Sequence, residues 1–162
     1  MVVSDSGPII WLSRINQFQL LKQLFHEVVI PQAVKIEVVD NATGHPCALN
    51  VIRACQEGWL KANEVKDTQK VALLCADLHT AESEAIVITE ELAAQALLID
   101  ERKARHIASV AEIPIIGTVG ILLLAHQRGT QVDLKALLDQ MRQDGFRLSE
   151  RVYQEILSRE VQ

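Results

Sequence analysis

Short apolar runs alternate along this chain with longer stretches in which apolar residues recur every three or four positions. The runs are Val2-Val3, Glu27–Ile30, Ala96–Ile99 and Pro114–Ile116, with a weaker extended piece within Trp59–Val65. Their length and β-branched content predict strands. Between them the spacing predicts helices over Ile9–Leu24 (broken near Ile15-Asn16), from Pro31 to about Val39, and over Cys47–Glu57, Ala81–Gln95 and Glu101–Glu112. Pro31 suits a first helical turn, where its missing N–H is no loss. Three further helices are expected at Val119–Gln127, Asp133–Gln143 and Ser149–Arg159, the last with Ser149 as N-cap. Asn41–Pro46 reads as loop, and Lys66–Lys70 as a mobile polar loop.

Strands that are apolar throughout, rather than at alternate positions, must be covered on both faces. With helices between them they predict an α/β fold, a three-layer αβα sandwich around four or five short parallel strands. The length, 162 residues, suits a single domain over 1–162, and an apolar share of 49% supplies its core.

In an open parallel sheet, sites form beyond the carboxyl ends of the strands. Asp5 follows Val2-Val3 with only Ser4 between, and Asp100 directly follows Ala96–Ile99. Either could simply cap a helix, but two on one sheet edge favour a site. Glu37 shares a helical face with apolar Val34 and Val38, where a carboxylate is costly unless it is paired or binds a cation. Its ordinary alternative is an edge residue reaching to water. Glu82 and Glu84 border the apolar stripe Ala81, Ala85, Ile88 and Leu92. Either could instead serve the positive end of its helix. Clustered carboxylates without cysteine or histidine partners suit Mg²⁺ or Mn²⁺ rather than zinc, and such ions activate water against phosphates.

Charge sharpens this. A net charge of −5 and a pI near 5.5 do not describe a protein with a broad basic face for nucleic acid. They agree with acids gathered in a cation site. Arg102 and Arg105 share a helix face beside Asp100 and are candidates for a substrate phosphate, against the ordinary reading of a solvated face. His26, His45, His79, His106 and His126 show no ligand spacing and read as surface or core-edge residues, and Trp11 and Trp59 read as core. Cys47, Cys55 and Cys75 form no CxxC and read as buried or half-buried free thiols. No signal-like start and no long apolar run occur, so a soluble cytoplasmic protein without membrane attachment is expected.

Several stretches together resemble the PIN domain, the fold of VapC-type toxin ribonucleases, and more closely a PIN-like prokaryotic sub-family. They are Val3–Ile10, Phe25–Val38, Glu82–Ile86, Leu97–Arg105, Ile116–Leu122 and Asp144–Ser149, in this order and at these spacings. The resemblance implies that Asp5, Glu37, Glu84 and Asp100 match an acidic catalytic quartet holding Mg²⁺ or Mn²⁺, with Ser6 and Thr118 as polar neighbours. Glu82 then has a supporting role. It further implies an endoribonuclease acting on RNA, a toxin of a toxin–antitoxin pair held by an antitoxin protein, and a homodimer. Ala81 stands where the family usually has Gly, and Glu84 where better-studied toxins carry Asp. The alternative is a catalytically silent PIN-fold module acting through protein or RNA partners. A phosphotransfer domain also has strand-end aspartates, but this chain lacks its paired acids beside the first-strand aspartate and its well-placed lysine.

Overall fold

The computed structural model describes residues 1–41 and 46–160. The loop expected at Asn41–Pro46, with His45, thus lies largely outside the described residues. Five parallel strands form one sheet: β1 (Val2–Ser4), β2 (Val28–Pro31), β3 (Leu60–Asn63), β4 (Leu97–Leu98) and β5 (Ile115–Ile116), in the order β3-β2-β1-β4-β5. Helices flank the sheet, giving the α/β three-layer arrangement that the continuous apolar strands require.

The order places β1 at the centre, with Val3 opposite Val29 on one side and Leu97 on the other. The chain turns one way from β1 to β2 and β3, and the other way to β4 and β5. Between β1 and β4 lies the point where the direction of winding reverses, the place at which open parallel sheets commonly build their sites. Val3, Leu97 and Ile99 are fully buried beneath it, so the strand ends carrying Asp5 and Asp100 sit on a rigid base.

The chain divides into two compact units, Met1–Thr118 and Val119–Gln162. The first holds the sheet with α1 (Ser6–Arg14), α2 (Leu20–Phe25), α3 (Gln32–Lys35), α4 (Pro46–Gln56), α5 (Thr68–Leu74), α6 (Thr80–Glu91) and α7 (Arg102–Val110). The second holds most of α8 (Thr118–Gln127), then α9 (Leu134–Gln143) and α10 (Glu150–Glu160). In it the Tyr153 hydroxyl meets Asp139, the Arg142 guanidinium lies over the Tyr153 ring, and Ser149 Oγ accepts from the Val152 amide as an N-cap.

Three expectations need correction. Lys66–Lys70 is not a mobile loop, because α5 begins at Thr68: Asp67 accepts from the Lys70 amide, and Glu91 accepts from the amides of Lys66 and Asp67. The helix after Pro31 does not run evenly to Val39. Pro31 ends β2, α3 lasts one turn, and Ile36–Asp40 widens into a π-helical turn closed by the Asn41 amide on the Ile36 carbonyl. Cys75 is exposed rather than buried, while Cys47 is buried and Cys55 half-buried. Trp59 packs in the core against Phe18, whereas Trp11 is half-buried under the Arg14 guanidinium. Among the described residues no helix is long and apolar enough to cross a membrane.

Candidate functional site

Asp5 is the residue at which β1 becomes α1. Its amide donates to the Leu98 carbonyl of the neighbouring strand, which pins the turn to the sheet edge. The side chain is 4% exposed and makes no cap to its own helix. Oδ1 is buried without any hydrogen-bond partner among the described residues. A carboxylate left so is costly. Burial pushes the Asp5 carboxyl up to about 7, the nearby charges of Glu82 and Glu37 push the same way, and the Ser6 and Gly7 amides only partly oppose them.

Asp5 faces a cavity of about 460 Å³ that Glu37, Glu82, Ser6, Asn41 and His79 also line. Glu37 comes from the π-helical turn. It does not lie on the buried Val34–Val38 row as its spacing predicted. The widened turn carries it out to an exposed position at the cavity, and such turns recur at functional sites. Glu82 comes from the first turn of α6 and is buried. Its Oε2 accepts from the His79 amide at 3.0 Å, so one oxygen closes the helix end while the residue lines the cavity.

Glu84 takes a different place. It points roughly 200° around the helix from Glu82, and its Oε2 accepts from the Ala33 amide at 3.1 Å. That bond ties α6 to the start of α3. The structure therefore brings Asp5, Glu37 and Glu82 to one cavity, and gives Glu84 to the turn after β2.

Asp100 stands on the other side of the β1–α1 turn. A Cβ on Gly7 would lie 3.4 Å from its Oδ2, an ordinary contact distance, so the two strand ends lie side by side. It does not cap α7, because Glu101 fills that role by accepting from the Ala104 amide. Instead, Oδ1 accepts from the Thr118 amide at 2.7 Å, and Oδ2 from the Thr118 hydroxyl at 2.6 Å. Burial raises the Asp100 carboxyl, and the two Thr118 bonds and the Arg105 charge moderate the rise. Arg105 turns inward to donate to the Ile99 carbonyl, while Arg102 is exposed.

Gly117 leaves room for this arrangement. A Cβ there would come 2.7 Å from Arg105 Nη1 and 3.0 Å from Asp100 Oδ1. Gly117→Ala is expected to displace Arg105 and lower stability by about 1–3 kcal/mol, measured by denaturant unfolding. Unchanged stability with unchanged Asp100 titration would contradict the crowding described.

Sequence reasoning missed His79 and Asn41 as cavity residues. The one available signal for His79 was its position three residues before Glu82 at a helix start, the spacing of a capping box. Nothing in the sequence marked Asn41, because its place depends on the π-helical turn before it.

Among the described residues no three Asp, Glu, His or Cys side chains stand close enough to form a ready group for one metal ion. The donors nonetheless suit a hard cation. They are carboxylate oxygens, one of them buried without a partner, and Mg²⁺ keeps several waters where protein ligands are few.

A family model described as a PIN domain matches residues 1–161. No curated protein and no solved structure matches the chain.

Proposed function

This chain belongs to the PIN-domain family, and from that premise we propose that it is a Mg²⁺- or Mn²⁺-dependent endoribonuclease acting as one domain. PIN domains are generally nucleases, and the family generally uses divalent metals. The observation that carries the reading is that Asp5, whose buried Oδ1 has no hydrogen-bond partner among the described residues, lines one cavity with two further carboxylates. A folded protein keeps such a group against its solvation cost when a ligand satisfies it.

In this reading Asp5 would hold the cation, with Glu37 and Glu82 on the same cavity wall reaching it through the waters that Mg²⁺ keeps, and Asp100 beside them across the β1–α1 turn. Glu82 takes the place that the resemblance gives to Glu84, because Glu82 lines the cavity and Glu84 is bonded to Ala33. Thr118 holds both Asp100 oxygens and fixes the direction of that carboxylate. A bound cation supplies the Lewis acid that activates a water and offsets charge on the phosphodiester. Ser6 and Asn41 add polar groups at the cavity wall. The exposed Arg102 remains a candidate for a more distant phosphate. A toxin role, an antitoxin partner and a homodimer extend the same proposal.

The test is a metal-titrated ribonuclease assay joined to thermal unfolding of the whole chain. At ten times its dissociation constant the cation should stabilise the wild type by about 1.4 kcal/mol, a rise of roughly 3–6 °C in Tm. Asp5→Asn should abolish both that rise and the cleavage. Equal metal response in both proteins, with no cleavage by either, would favour the silent binding module instead.

A further inference from the structure

The hydrogen-bond ladder between β4 and β5 stops beside Asp100. Leu97 donates its amide to the Pro114 carbonyl, and two residues on, Ile99 donates to the Ile116 carbonyl. With Leu98 paired to Ile116, the next rung of this parallel ladder would run from the Thr118 amide back to the Ile99 carbonyl. The Thr118 amide donates instead to Asp100 Oδ1 at 2.7 Å, while the Thr118 hydroxyl donates to Oδ2. Ile99 is fully buried, and its carbonyl has lost the donor that the register offers it. Arg105 replaces that donor, with Nη1 at 3.0 Å from the Ile99 oxygen.

The local geometry is built around this replacement. Side chains on a helix lean toward its N-terminus, so Arg105, in the first turn of α7, reaches back to the strand end before it. Gly117 leaves the passage open. A Cβ there would come 2.7 Å from Arg105 Nη1, 3.0 Å from Asp100 Oδ1 and 3.6 Å from the Ile99 carbonyl. Guanidinium, carboxylate and carbonyl thus converge on one residue that has no side chain. A buried carbonyl without a donor is costly. Without Arg105, the Ile99 carbonyl competes with Asp100 for the Thr118 amide.

We propose that Arg105 is a positioning residue for the candidate site: by taking the Ile99 carbonyl it ends the β4–β5 ladder one rung early, and so leaves the Thr118 amide to aim the Asp100 carboxylate. Its part in catalysis rests on the nuclease reading. Each Asp100 oxygen keeps lone-pair capacity beyond its Thr118 bond, so the aimed carboxylate stays available to a cation or its waters. Arg105 is thereby removed from the residues that the sequence offered for a substrate phosphate, because its guanidinium is turned into the fold.

The test joins amide NMR of the whole chain without metal to initial rates with Mn²⁺ on random-sequence single-stranded RNA. A short bond to a carboxylate places the Thr118 amide proton downfield. In Arg105→Met the Thr118 resonance should move upfield, toward those of ordinary ladder amides. Gly117→Ala, which displaces Arg105 without deleting it, should move it the same way, and Arg105→Lys, which keeps a charged donor, should lie between. Arg105→Met should also lower kcat about 10–100-fold, the usual cost of losing a group that orients a metal-site ligand, with KM within about twofold. A merely structural role would lower Tm and leave the Thr118 resonance of the folded variants in place, which overturns the proposal. A raised KM with unchanged kcat would make Arg105 a phosphate contact and overturn it equally. If the wild type does not cleave while the Thr118 resonance moves as described, the nuclease reading fails and the aiming of Asp100 by Arg105 stands.

Discussion

Asp5→Asn, in the absence of metal, should make the protein more stable at pH 8 by roughly 4 kcal/mol. The figure follows from a carboxyl pushed from 3.8 to about 7, at about 1.4 kcal/mol per unit. The unfolded chain releases the Asp5 proton near pH 3.8, and the folded chain keeps it to about pH 7. Between these values the unfolded state binds fewer protons, so stability falls as pH rises. The favourable contribution is complete below pH 3.8 and has been lost above about pH 7. Asparagine has no proton to lose, so its stability curve should lack this fall. Urea unfolding in chelator from pH 4 to 8 would show it as two curves that diverge with rising pH. Parallel curves would mean that Asp5 is not held in the desolvated state described. A cation should reverse the order, because it stabilises the wild type and finds one carboxylate fewer in the variant.

Glu82→Gln should lower nuclease activity by roughly 10–100-fold, the usual cost of losing a carboxylate that supports a bound metal, whereas Glu84→Gln should leave it within a few-fold. The Glu84 bond to Ala33 needs only an acceptor oxygen, and glutamine retains one. Glu84→Ala removes the acceptor. It should destabilise the start of α3 by about 1–3 kcal/mol and, through α3, disturb Glu37 in the turn that follows. Rates and unfolding curves for all three variants separate the two residues. The reverse pattern, with Glu84→Gln inactive and Glu82→Gln near normal, would return Glu84 to the metal-holding set.

Both predictions depend on α6 in a way that local pattern does not resolve. Along Thr80–Glu91 the apolar residues are buried almost all round the helix: Ala81, Ala85, Ile86, Val87 and Ile88. A helix buried on most sides has no clear polar face to say which glutamate looks where. The choice is made by groups distant in sequence. The Ala33 amide, 51 residues away, takes Glu84, and the cavity beside Asp5 receives Glu82.

The chain's own pattern was sufficient for most of the elements, α5 and the π-helical turn excepted, for the parallel sheet and for the sheet edge that carries Asp5 and Asp100. Periodicity reports which faces are apolar, and continuous apolar runs admit few arrangements other than a sheet covered on both sides. The break at Asn16 was also legible, since the helical stripe lapses there, and the structure shows that residue at φ 56. Tertiary structure alone decided the rest: the π-helical turn that carries Glu37 outward, the capping of α7 by Glu101 that leaves Asp100 to Thr118, and the meeting of His79 with the acids. Each of these concerns the direction of a polar side chain or the spacing of one backbone turn. Burial of apolar surface is roughly proportional to area and indifferent to direction, so it leaves a record in composition and period. A hydrogen bond is short and directional, and its partner becomes known only when remote parts of the chain are brought together.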